Sequence, residues 1–137
     1  MSERVIIVPC SGIGKTYGTV TREAAYVVAE ELRTGTTAIV PLSLLVLGDE
    51  EARAAVQDAQ VITMDGCKLA CATLNVRQAG GTVAKDFTVL DVFRRNKALK
   101  PQGISELNEG GLALARALAE EVAQTADELI AGGADHA

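Results

Sequence analysis

The sequence predicts an α/β fold: a single doubly wound domain of about four parallel strands, in the order 2-1-3-4, flanked by helices. The first observation behind it is that short β-branched runs alternate with segments whose apolar residues recur every three to four positions. The second is that glycine-containing loops separate these segments. Because parallel strands need long crossover connections, this alternation favours a parallel sheet covered on both faces. The 137 residues match one domain, residues 1–137, with 132–137 as a disordered tail.

The elements follow one another in a repeating order. Residues 4–9 form a β-branched run ended by a proline, which is typical of a buried parallel strand, and the stretch from residue 20 has a helical apolar stripe. Glycine pairs at Gly80-Gly81 and Gly132-Gly133 indicate helix ends. Further strands are predicted at 37–40, 60–64 and 82–92, and further helices at 49–59, 68–79 and 106–131.

Composition argues against several partners. A net charge of −5 and only 3% aromatic residues disfavour nucleic acid, which is held by basic clusters and stacked aromatic rings. The apolar stretches are too short to span a bilayer, and no secretory signal is recognisable, so we expect a cytoplasmic protein with no membrane partner. The apolar run 42–48, "LSLLVLG", leaves a homodimer contact as a further expectation.

The three cysteines are predicted to meet at one edge of the sheet. Cys10 follows the first strand, Cys67 lies two residues past Asp65 at the end of the third strand, and Cys71 is one helical turn further on. Neighbouring first and third strands would bring these thiols to the same crevice. Thiolates gathered at a helix N-terminus favour zinc, with Asp65 as an additional ligand or as an orienting residue, or with solvent or an exogenous ligand in the fourth position.

Several separated motifs resemble the DGC-domain family, whose members are described as zinc-binding. They are "PCSGIGKTYGTVTREAAY", "ITMDGCKLACA" with Asp65, Gly66 and Cys67, and the later glycine pair, in a resemblance that runs from about residue 5 to residue 119. The resemblance implies four metal-chelating cysteines, of which three match here. The fourth is expected near "VPLSLL", where this chain has Ser43. The family pattern therefore implies zinc, and its missing cysteine favours an open or oxygen-occupied position.

The loop after the first strand predicts an anion-binding element. "PCSGIGKT" resembles a Walker A loop except that Pro9 occupies the place of its first glycine, and proline contributes no N–H to a phosphate cradle. The backbone around Ser11, Gly12 and Gly14, with the charge of Lys15, is still expected to face a small anionic or thiol-bearing molecule. A degenerate nucleotide-binding loop is the corresponding alternative.

Other interpretations of the cysteines stay open. One is a metal-free thiol or redox enzyme in which Cys10 attacks and Cys67 or Cys71 resolves, although no histidine lies nearby to act as a base. Another is a zinc ion that clips loops together without catalysis. Buried cysteines that simply pack as small hydrophobic residues are a third. No reaction and no catalytic residue are assigned from the sequence.

Overall fold

Four short strands pair in parallel to form the centre of the protein. The computed structural model describes residues 4–10, 15–66, 69–104 and 106–135. The strand order β2-β1-β3-β4 confirms the predicted α/β class and the adjacency of the first and third strands. The strands are β1 (Val5–Pro9), β2 (Thr37–Ile39), β3 (Gln60–Asp65) and β4 (Val83–Thr88).

Six α-helices connect and cover the described strands. They are α1 (Thr16–Val27), α2 (Leu42–Leu47), α3 (Glu50–Asp58), α4 (Cys71–Gln78), α5 (Val89–Arg95) and α6 (Glu109–Asp135). A π-helical turn, Val28–Leu32, continues α1. Within the described residues, no helix combines the length and the apolar character needed to cross a bilayer.

Strand residues alternate between two separate cores, as expected for a sheet buried on both faces. Val5 and Ile7 pack with α1, α5 and α6 on one face. Ile6 and Val8 pack with α2, α3 and α4 on the other. Crossovers on opposite faces leave the carboxyl ends of β1 and β3 side by side, which is where a doubly wound sheet forms its crevice.

Two helices were not predicted from the sequence. The predicted strand 82–92 is wrong in its second half, because the chain turns into α5 at Val89. The signals for that turn are local: the Thr88 hydroxyl accepts a hydrogen bond from the Asp91 backbone N–H at 3.3 Å, and two arginines end the helix. Helix α2 begins after Pro41 and ends at Gly48 with φ +77°, which are ordinary start and stop residues.

Four predicted helix limits are also wrong. Helix α4 begins at Cys71 rather than at residue 68, because Ala70 just before it has a left-handed conformation, so Cys71 starts the helix and does not lie one helical turn into it. Helix α6 begins at Glu109 rather than at residue 106. Helix α1 begins at Thr16 rather than at residue 20, because Gly18 is a buried helical residue and not part of the preceding loop. Helix α6 continues through Gly132 to Asp135, beyond the predicted end at residue 131. Glycine weakens a helix by only about 1 kcal/mol, and Leu129 and Ile130 pack on the core just before it. The predicted disordered tail, 132–137, is therefore wrong for residues 132–135, and residues 136 and 137 lie outside the described residues.

Stability should depend on the buried side of α6. Leu118 is fully buried, whereas Leu112 on the same helix is 48% exposed. We expect Leu118→Ala to lower the free energy of unfolding by about 2–5 kcal/mol, because it leaves a cavity, and Leu112→Ala by less than about 1 kcal/mol. Urea denaturation of both variants checks this. Equal losses would contradict the placement of α6.

Candidate metal centre

Cys10 lies at the carboxyl end of β1, against the end of β3. Its backbone N–H donates to the Met64 carbonyl at 2.8 Å, which continues the pairing of the two strands by one residue. Its half-buried Sγ accepts a hydrogen bond from the Gly66 N–H at 3.2 Å. The sulfur is therefore held at the corner where β3 ends.

Thr21 of helix α1 forms the second polar contact of the Cys10 sulfur. Its Oγ1 lies 3.6 Å from Sγ and is buried. The Thr21 hydroxyl donates to the Gly18 carbonyl at 2.7 Å, which orients its oxygen to accept the Cys10 thiol proton. The Gly66 N–H and the Thr21 oxygen therefore hold the Cys10 sulfur from two sides.

Asp65 joins the end of β3 to the start of α4. Its side chain is only 2% exposed, and Val61, Thr63 and Asp65 all point to the face that α4 covers. One carboxylate oxygen accepts from the Ala72 N–H at 2.8 Å. The other accepts from the N–H and the hydroxyl of Thr73, at 3.3 Å and 2.8 Å. These bonds satisfy N–H groups that a helix N-terminus leaves without partners, and they support the orienting role of Asp65.

A short chain of hydroxyls extends this contact into the sheet. Thr63 and Thr73 are both buried, and their Oγ1 atoms lie 2.7 Å apart. Because Thr73 donates to Asp65, Thr63 donates to Thr73, so the hydrogen bonds run in one direction from β3 through α4 to the carboxylate. The first turn of α4 is thereby tied to the strand end at two points.

The backbone around the β3–α4 corner is tightly constrained. A Cβ at Gly66 would lie 2.9 Å from the Tyr17 carbonyl carbon and 3.0 Å from the Gly18 nitrogen, so only glycine lets the corner approach α1 this closely. Ala70, immediately before α4, has φ +53° and ψ +45°. A left-handed conformation costs a non-glycine residue roughly 1–2 kcal/mol, and the surrounding contacts must offset it.

The predicted site residues divide into those the structure places and those it does not describe. Cys71 is the first residue of α4 and is exposed, and it directly precedes the Asp65-bound Ala72. Lys15 is exposed and precedes α1. Ser43 is exposed on α2. The predicted ligand Cys67 and the predicted loop residues Ser11, Gly12 and Gly14 lie outside the described residues.

Among the described residues, Cys10, Asp65 and Cys71 are not gathered into a metal-binding group, and no other set of three or more candidate ligands is. What the described contacts do bring together is the Cys10 sulfur and the first turn of α4, both at the Asp65-Gly66 corner. The segment that carries Cys67 begins at that corner.

Sequence reasoning did not find the three threonines of the site. Thr63 interrupts an apolar strand, and Thr73 lies two residues after Cys71. A buried hydroxyl needs a hydrogen-bond partner, so Thr63 within an apolar strand was the sequence feature that could have indicated a polar contact here. Thr21 carried no comparable signal, because its contact with Cys10 depends on how α1 packs.

The fold and this corner define a doubly wound α/β protein with thiols at the carboxyl edge of its sheet. A family model of the DGC domain matches residues 6–129, which include β2, β3, β4, all of β1 except its first residue, and most of α6. The chain therefore belongs to the DGC-domain family, which confirms the resemblance and supports a metal-binding protein. No curated protein and no solved structure matches the chain.

Removal of the Asp65 carboxylate should destabilise the protein more than removal of an ordinary helix cap. Asp49 is a half-buried cap that accepts one bond from Ala52 N–H at 2.9 Å. We expect Asp65→Ala to lower the free energy of unfolding by at least about 2 kcal/mol, because it leaves buried donors without acceptors. Asp49→Ala should lower it by about 1 kcal/mol. Urea unfolding of the two variants gives the comparison, and a smaller loss for Asp65→Ala would argue against its anchoring role.

Proposed function

We propose that the chain binds zinc through Cys10, Cys67 and Cys71, with the fourth position open to a small thiol or an anionic ligand. The observation that carries the proposal is the corner itself. The Gly66 N–H holds the Cys10 sulfur, and the neighbouring Asp65 holds the helix that begins with Cys71. Cys67 follows Gly66 directly in the sequence.

The donor chemistry of the site fits zinc. Thiolates are the ligands of structural zinc and of several catalytic zinc sites, at roughly 2.3 Å from the ion. The N-terminus of α4, where Cys71 lies, carries partial positive charge, which favours an anionic ligand atom there. A backbone N–H that donates to a ligating sulfur, as Gly66 does to Cys10, moderates the charge of the thiolate and fixes its direction.

An open fourth position follows from the residues that the chain offers. The family pattern has four cysteines, and this chain has three. Asp65 uses both carboxylate oxygens on α4, and Ser43 is an exposed hydroxyl rather than a thiol. With three sulfurs and no fourth cysteine, the remaining position would go to solvent or to an incoming molecule.

The loop before α1 supports a small anionic partner. Lys15 is exposed at the start of that helix, and the preceding Ser11, Gly12 and Gly14 are residue types whose backbone N–H groups can approach an anion closely. Zinc, when bound, would supply Lewis acidity and would favour the deprotonated form of a ligating thiol. The chain's own residues hold the sulfurs, orient α4 and add positive charge at the mouth of the site.

Loss of any one cysteine should remove the metal. We expect about one zinc per chain in protein purified without chelators, as for a single three-thiolate site. Cys10→Ser, Cys67→Ser and Cys71→Ser should each lose it, because a serine hydroxyl is a poor zinc ligand. Elemental analysis of each variant tests this, with Ser43→Ala as the control that keeps its zinc. Full zinc occupancy in Cys10→Ser would overturn the three-thiolate site.

The coordination itself distinguishes an open site from a closed one. Zinc-edge X-ray absorption should report three sulfurs and one oxygen, and four sulfurs after addition of a small thiol such as 2-mercaptoethanol. Four unchanging protein ligands would leave a structural or storage role. A protein that contains no zinc but whose Cys10 and Cys71 are oxidised by peroxide would favour the metal-free thiol enzyme instead.

A further inference from the structure

A groove of about 540 Å³ lies along the outer edge of the sheet, between β4 and the helices α5 and α6. Four consecutive strand residues, 85–88, form one wall. The opposite wall is a stripe of α6 at i, i+3, i+4 and i+7, namely Glu121, Gln124, Thr125 and Glu128. The groove therefore has the shape of a channel between a strand and a helix.

The strand wall offers backbone hydrogen-bonding groups. Among the described strands, β4 pairs only with β3, so it forms one edge of the sheet. Its register skips Ala84: Val83 pairs with Val61, and Lys85 pairs with Ile62. This bulge interrupts the first part of the strand, and pairing is regular from Lys85 to Thr88. In a parallel strand, alternate residues direct their N–H and C=O groups away from the neighbour, here toward the groove side.

The groove carries an excess of negative charge. Its lining contains four carboxylates and two basic side chains. Arg95 already donates to Glu121 at 2.6 Å. Asp86 and Glu128, on opposite walls and exposed, form no ion pair with any described residue. Lys85 lines the same groove with its ammonium 5.9 Å from the centre of the Phe87 ring, and it also forms no ion pair with a described residue. The unpaired charges of the groove are therefore two carboxylates and one ammonium, and the remaining excess is negative and attracts a cationic group.

We propose that this groove binds an extended peptide segment with basic side chains, which adds to the sheet as a fifth strand beside β4. Strand addition draws its affinity from backbone hydrogen bonds to an exposed edge, and side chains on alternate residues set its specificity. Basic residues of the peptide would face Asp86 from the strand side and Glu128 from the helix side. The half-buried Thr88 and the nearly buried Phe87 complete the strand wall.

A second copy of the chain fits this groove less well. In a two-fold dimer both subunits present the same patch, so an acidic groove would face an acidic groove. The α6 stripes, with Glu121 and Glu128, would then approach each other with like charges, which is unfavourable. The charge distribution therefore favours a basic partner over self-association.

Binding of designed peptides tests the proposal on the full chain. The probe is a fluorescein-labelled octapeptide that alternates lysine with valine and threonine, measured by fluorescence anisotropy at low salt. We expect saturable binding, at least tenfold weaker binding of the same peptide with glutamate in place of lysine, and similar weakening when alternate backbone nitrogens are methylated. No binding at millimolar peptide, or equal binding of the N-methylated peptide, would overturn strand addition.

Variants locate the binding to the groove. Asp86→Asn combined with Glu128→Gln should weaken the lysine peptide at least fivefold, whereas Glu50→Gln on α3 should change its affinity less than twofold. Bound peptide should also slow hydrogen exchange of backbone amides within residues 85–88. If Glu50→Gln weakened peptide binding as much as the Asp86→Asn and Glu128→Gln double variant, the peptide would bind outside the groove. Concentration-dependent dimers that protect these same amides without peptide would show that a second copy occupies the groove.

Discussion

The carboxylate of Asp65 is the interaction on which the rest of the site depends. Burial of a charged carboxylate is costly unless hydrogen bonds replace its water, and here the N-terminus of α4 supplies three donors. The exchange is mutual, because the same bonds satisfy N–H groups of α4 that would otherwise lie buried without acceptors. Once Asp65 is fixed, the start of α4 is fixed, and with it the backbone of Cys71.

The next residue, Gly66, connects this anchor to the other half of the site. Its N–H binds the Cys10 sulfur, and its missing side chain lets the corner pack against Tyr17 and Gly18 of α1. Two adjacent residues thus set the positions of one thiol, one helix start and one neighbouring helix. The sequence Asp-Gly-Cys therefore has a physical reason at each of its first two positions: an acceptor for the helix and a backbone without a Cβ.

The predictable part of the structure is the part determined by local pattern. Buried parallel strands have a strong β-branched signal, and the strand order followed from general rules of crossover connections, so the neighbouring positions of β1 and β3 could be expected. The limits of α1 and α6 could not be expected, because glycines that usually indicate loops or helix ends are helical here. Gly18 lies buried in α1 close to Gly66, and Gly132 follows a turn whose Leu129 and Ile130 pack on the core. Helix α5 was missed although Thr88 and Asp91 carry ordinary capping signals.

The site was predictable in its location and not in its internal contacts. Cys10 and Asp65 could be placed at one edge from strand order alone. The hydroxyls of Thr21, Thr63 and Thr73 could not, because each binds a group from another element, and such contacts depend on side-chain packing that sequence spacing does not encode.

The described part of the fold satisfies its buried polar side chains and covers its sheet without a metal ion. Within the part of the chain that the structure describes, every buried side-chain nitrogen and oxygen has a hydrogen-bond partner, and two apolar cores cover the sheet on both faces. Zinc-dependent folding is characteristic of domains too small to bury such cores. Folding would therefore depend little on the free energy of zinc binding at the Asp65-Gly66 corner. That free energy would instead favour one arrangement of the thiols and the binding of an incoming ligand. A zinc ion bound as proposed would then occupy a ligand site on a preformed scaffold, in contrast to a clip that creates the scaffold.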